Sequence, residues 1–139
     1  MTMKLLKTWR ISGSRILAEL FGGIATNGAN VDALTTLTYG ASIAIDASLG
    51  NQFVVTVTDA VAFAFAAPTN TPPTGFAQEI FITIRNGSGG AHGAGTWNAV
   101  FKVTGNVPAI ANGFSRTFGF RWNGTNWVQI LVPATDVPN

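Results

Sequence analysis

Large apolar residues recur at every second position along much of this chain, most regularly in three segments. Phe53, Val55 and Val57 alternate with Val54, Thr56 and Thr58; Ile80, Ile82 and Ile84 with Phe81, Thr83 and Arg85; Phe118, Phe120 and Trp122 with Thr117, Gly119 and Arg121. Successive side chains of a strand point to opposite faces, so each triplet marks one buried face. Extending the pattern predicts eight strands, at residues 35–39, 42–46, 52–58, 61–66, 79–86, 97–103, 114–122 and 126–132. Val, Ile, Thr and Phe fill them, and clusters of Gly, Pro and Asn separate them. Asn123-Gly124 between the last two is the strongest short-range hairpin signal. In the run 61–66 large and small residues alternate, which suits a strand packed on both faces. Short turns at 46–51 and 58–61 mix with long connections at 67–78 and 87–96. The expected fold is therefore all-β, an antiparallel β-sandwich of jelly-roll type over residues 35–139. No repeat of fixed period is visible, which argues against a solenoid or a propeller.

Residues 1–34 follow a different pattern and are expected to form an N-terminal arm. Ile16, Leu17, Leu20 and Phe21 have helical spacing, with Ser14 as a cap and Gly22-Gly23 as a stop. A helix that short needs tertiary or intersubunit packing. Residues 4–11 read equally well as a strand with Leu5, Trp9 and Ile11 on one face.

Composition adds a reason to expect assembly. Charged residues make up 10% of the chain, against about a quarter in an ordinary soluble protein. So little charge predicts that part of the apolar surface is covered by another subunit, and a homo-oligomer is expected. The charge is also unevenly placed. Lys4, Lys7, Arg10 and Arg15 against Glu19 leave the first twenty residues net positive, while the remainder is slightly acidic. A basic arm suits an anionic partner, but four dispersed charges without a nucleic-acid-binding signature favour an acidic protein neighbour over nucleic acid. No run of 18 apolar residues is present, so no transmembrane helix is expected. The basic residues that interrupt the N-terminal apolar stretch make it a poor signal peptide.

No catalytic, cofactor or metal site is expected. His92 is the only histidine and there is no cysteine, so a metal lacks its usual partners. The sequence around Ser42 does not match a nucleophile elbow, and His92 reads as a solvated loop residue. The glycines of 86–95 precede a strand rather than the helix that a phosphate loop requires. Asp46, Asp59 and Glu79 lie at strand ends, where acidic residues commonly bond nearby backbone; a carboxylate pair there is the one enzymatic alternative. Trp97, Trp122, Trp127 and Tyr39 have the makings of a sugar platform, although cross-strand pairing of Trp122 with Trp127 explains them more simply.

Taken in series, four phrases resemble a domain that recurs in structural proteins of tailed bacteriophages. They are TLTYGASIAIDASLGNQFVVTVTDAVAF, then PPTGFAQEIFITIRNGSGG, then TWNAVFKV, and finally NGFSRTFGFRWNGTNWVQI. The resemblance implies a non-enzymatic virion component, with the major capsid protein or other virion subunits as partners. A capsid decoration, or cement, protein is expected first, and a tail-fibre, spike or head-fibre component that binds a host receptor or glycan second. The residues expected to make assembly contacts are Lys4, Lys7, Trp9, Arg10, Arg15, Leu20 and Phe21.

Overall fold

The computed structural model describes residues 25–26, 29–30 and 33–139. The chain divides into two compact units, Met1–Asp32 and Ala33–Asn139. In the first, β1 (Ala25–Thr26) pairs antiparallel with β2 (Ala29–Asn30).

The second unit is built almost wholly of strands. They are β3 (Leu34–Thr36), β4 (Ser42–Ile43), β5 (Gln52–Val57), β6 (Phe63–Phe65), β7 (Glu79–Asn86), β8 (Gly95–Trp97), β9 (Phe101–Lys102), β10 (Phe114–Trp122), β11 (Trp127–Leu131) and β12 (Val137–Pro138). A single 3-10 turn, Ala47–Leu49, follows Asp46, whose carboxylate accepts from the Ser48 amide. Among the described residues no helix is long and apolar enough to cross a membrane.

A mixed seven-stranded sheet runs in the order β3-β5-β7-β10-β11-β9, with β12 beside the start of β10. A second sheet runs β4-β6-β8. The second unit is mostly β as expected, but its strands pair antiparallel only at β10, which is antiparallel to β7, β11 and β12. The pairs β3–β5, β5–β7, β4–β6, β6–β8 and β9–β11 are all parallel. The reason lies in the connections. Parallel neighbours need a crossover. Here β4 and β6 of the second sheet connect β3 to β5 and β5 to β7, β5 and β7 connect the strands of the second sheet, and β10 lies between β9 and β11 in the chain. From β3 to β8 the chain passes alternately between the sheets, and each return lands beside the strand before it.

That is the path of a short solenoid, which the lack of a regular repeat had argued against. The rungs are unequal. Leu34 stands beside Gln52 and Gln52 beside Phe81, while Ser42 stands beside Ala64 and Ala64 beside Thr96. Unequal loops hide the winding from any search for a fixed period.

The three alternating triplets all face inward. Phe53, Val55, Val57, Ile80, Ile82, Ile84, Phe118, Phe120 and Trp122 are buried and join Ile43, Phe63 and Phe65 of the second sheet in one hydrophobic cluster. Each such side chain contributes roughly 1.5–3 kcal/mol by leaving water. Phe65 stacks on Trp97 at 4.4 Å, and Trp97 packs in turn against Phe118 and Phe120 of the facing sheet.

Two strand expectations change in detail. The run 61–66 is a strand only at Phe63–Phe65; those two rings are buried, Ala64 is half-buried and Val61 is exposed. The run 97–103 is broken into β8 and β9, one in each sheet, because Asn98 turns the chain. Its carbonyl accepts from the Phe101 amide at 2.9 Å and its side chain from the Val100 amide at 3.1 Å.

Candidate functional site

The seven expected assembly contacts, Lys4, Lys7, Trp9, Arg10, Arg15, Leu20 and Phe21, lie outside the described residues. The remaining candidates all fall within the second unit, where the geometry assigns most of them structural work.

Trp122 and Trp127 stand opposite one another across the terminal hairpin, with ring centroids 5.3 Å apart. Both are buried, so neither ring presents a face to a ligand in this structure. Asn123 closes the turn between them: its Oδ1 accepts from the Thr125 and Asn126 amides at 3.0 and 2.8 Å, and Gly124 takes the positive φ of 97° that the turn requires.

Asp46, Asp59 and Glu79 each answer to a different set of partners. Asp46 accepts from the amide and hydroxyl of Ser48 and from Asn70 Nδ2, which together hold its carboxyl below the ordinary range. Asp59 accepts from Tyr39 Oη at 2.6 Å and from the Val61 amide at 2.9 Å, with the same direction of shift. Burial, reinforced by the hydrogen bond and charge of Asp59, pushes the Tyr39 phenol up to about 12. Glu79 pairs with Arg121 across β7 and β10. A general acid–base pair needs carboxyl groups converging on one point with pKa values driven apart; Asp46 and Asp59 instead shift together, each through its own local bonds.

His92 is not the solvated residue that its glycine-rich surroundings suggest. It is half-buried, packs 5.9 Å from Phe63, and uses both ring nitrogens on backbone. Nε2 accepts from the Ile110 amide at 3.0 Å, which assigns the proton to Nδ1, 2.6 Å from the Gly93 carbonyl oxygen. Asn86 works beside it and is the one buried polar residue among the described residues. Its Nδ2 donates to the Gly90 and Ile110 carbonyls, and its Oδ1 accepts from the amide and hydroxyl of Ser88. The Gly89 amide adds a bond to Asn112 Oδ1. Loop 87–94 is thereby laced to residues 110–113. Gly93 lies so close to Val61 that a Cβ would meet the Val61 carbonyl oxygen at 2.1 Å, and at Gly95 one would meet the Phe63 ring at 2.6 Å. Neither glycine is a spacer. The signal missed in the sequence was Asn86-Gly-Ser88, an Asx turn followed by positions where no side chain fits.

Open clefts are also present. A cleft of ≈ 330 Å³ lies at the first rung, between β3 and β4. Its lining is rich in hydroxyls, from Thr35, Thr36, Thr38 and Ser42, over an apolar floor that includes Leu37 and Ile45. Among the described residues no group of three His, Cys, Asp or Glu side chains is placed to hold a metal ion.

No family model, curated protein or solved structure matches the chain. What function the second unit has must therefore be argued from its surface. That surface offers exposed apolar side chains in four places: Leu34 and Leu49 at the first rung, Val61 between β5 and β6, Phe76 on loop 67–78, and Ile130, Leu131, Val132 and Val137 towards the C-terminus.

Proposed function

We propose that the chain is a non-enzymatic structural subunit of a tailed-phage virion, most simply a capsid decoration protein that bridges and stabilises capsid subunits. One observation carries the assembly part of this reading: among the described residues eight large apolar side chains stand exposed, and only 10% of the chain's residues are charged. A monomer with so little charge leaves apolar surface in water that a neighbouring subunit would cover. The virion part rests on the four resembling phrases. In this reading the two sheets around one core act as a small, rigid sandwich, and the basic segment with Lys4, Lys7, Arg10 and Arg15 supplies further contacts to an acidic neighbour.

A second reading, a receptor- or glycan-binding tail or head-fibre domain, is favoured by loop 67–78, where Phe76 is 67% exposed. Quantifying the protein in purified particles separates the two. A copy number that scales with the capsid lattice is expected for decoration, and a few copies per particle would move the assignment to an appendage. Absence from particles would end both.

A further inference from the structure

The margins of the two sheets are treated unequally. At one margin of the large sheet, β9 is two residues long and bears Lys102. In the small sheet, β8 is bordered by Val107, whose amide donates to the Gly95 carbonyl at 3.0 Å. Short, charged or covered edges are the usual protection against unwanted strand pairing. The opposite margin, formed by β3, is also short, at three residues, but is neither charged nor covered among the described residues. Residues 33–45 contain no Asp, Glu, Lys, Arg or Pro. Leu34 is 60% exposed, and Thr36 and Thr38 are exposed beside it.

The direction of the backbone groups follows from one bond. The Leu37 amide donates inward, to the Val54 carbonyl at 2.8 Å. Backbone groups alternate along a strand, so those of Leu34 and Thr36 in β3 point outward, away from β5, and the same alternation continued past Leu37 would turn those of Thr38 the same way. A row of donors and acceptors on an uncharged edge calls for another extended strand.

We infer that β3 pairs with β3 of a second copy of this chain about a two-fold axis at Thr36, joining two seven-stranded sheets edge to edge. Three features select a second copy over another occupant. The row Leu34, Thr36, Thr38 is self-complementary in the antiparallel sense: Thr36 faces Thr36 of the second copy and Leu34 faces its Thr38, each as a doubly hydrogen-bonded pair. The run 33–45 carries no charge, so identical edges meet without like-charge repulsion. Leu34 and Leu49, both more than half exposed at this rung, would be covered by the same contact. This deepens the assembly reading above by naming one partner, and it is tested without particles.

The full chain should be dimeric in solution by light scattering. Because residue 36 faces itself, Thr36→Lys and Thr36→Glu should each weaken dimerisation about tenfold or more, and mixing the two variants should restore a dimer containing one of each. Thr36 is exposed, so both variants should keep the circular dichroism of the parent. Should a variant misfold, amide exchange of the unmodified protein decides: protection at Thr36 and Thr38 is expected to rise with protein concentration. A monomer, an odd-numbered ring, or a dimer indifferent to both substitutions overturns the pairing. So does exchange at these amides that is concentration-independent: fast exchange means a free edge, and slow exchange means an edge paired within one chain. Dimerisation through β3 by a protein missing from particles would sink the virion reading and leave the pairing intact. A monomeric particle component would do the reverse.

Discussion

The two long connections of the second unit, 67–78 and 87–94, look alike in the sequence and behave differently in the fold. The first is rich in proline and the second in glycine, and either composition suggests an exposed crossing. Loop 87–94 is nevertheless the one held down. Asn86, Asn112 and His92 lace it to residues 110–113, and Gly93 lies flat against Val61. Loop 67–78 is tied mainly at its ends. Thr69 bonds to the Ile45 carbonyl and Asn70 to Asp46, Gln78 reaches Ala47, Gly50 and Asn51, and Phe76 between them stands in water. Glycine thus marks close approach in one loop, while proline in the other limits conformations without adding contacts. The surface best placed to meet a partner is the proline-rich loop.

The contrast breaks most clearly at Asn86. Asn86→Ala should leave the Ile110 carbonyl and its neighbours without partners in a dry site, at a cost of about 3 kcal/mol in chemical denaturation. A loss under about 1 kcal/mol would mean that loop 87–94 is not anchored there. Gly93→Ala should cost about 1–3 kcal/mol, because the backbone rather than a flexible side chain must give way. A neutral result would show that the loop can lift from Val61. Acid should sharpen the comparison from the other side. Asp46 accepts from Ser48 and Asn70 and lies below its ordinary value of 3.8. Its contribution is therefore complete above that value and fades as pH falls through the lower folded one. The Ser48 amide and the Asn70 side chain should lose their NMR signatures of bonding in that window, whereas the amide of Asn86 carries no charge to lose. The smallest effect is expected at Phe76→Ser, within about 0.5 kcal/mol, since an exposed ring gives up no core contact. A larger loss would place Phe76 in a contact that its exposure conceals.

Much of the strand pattern was legible. The alternating triplets at 53–57, 80–84 and 118–122 all face the core, and the hairpin at Asn123-Gly124 stands where the sequence put it. Strand pairing was not legible, for a plain reason. A period of two records which face a residue takes, and says nothing of the direction of the neighbouring strand. β5 shows an alternating face whether β7 runs with it or against it. The split of 97–103 was hidden similarly, because Trp97 and Phe101 both face the shared core from strands in different sheets. In the candidate site, Asp46 and Asp59 were correctly read as bonding nearby backbone, and the Trp122–Trp127 pair as register. His92 was misread, because its acceptor at Ile110 lies eighteen residues away in the chain. No local pattern reports a bond of that range.

The Trp122–Trp127 pair has an optical consequence. Two indoles held 5.3 Å apart at 48° couple as excitons, so the closed hairpin carries a chiral signature that separated rings lose. The pair sits where β11 meets both β10 and β9, the junction between the antiparallel strands and the parallel margin of the large sheet. That signature would report directly whether docking or strain at the distant β3 margin is felt across the sheet.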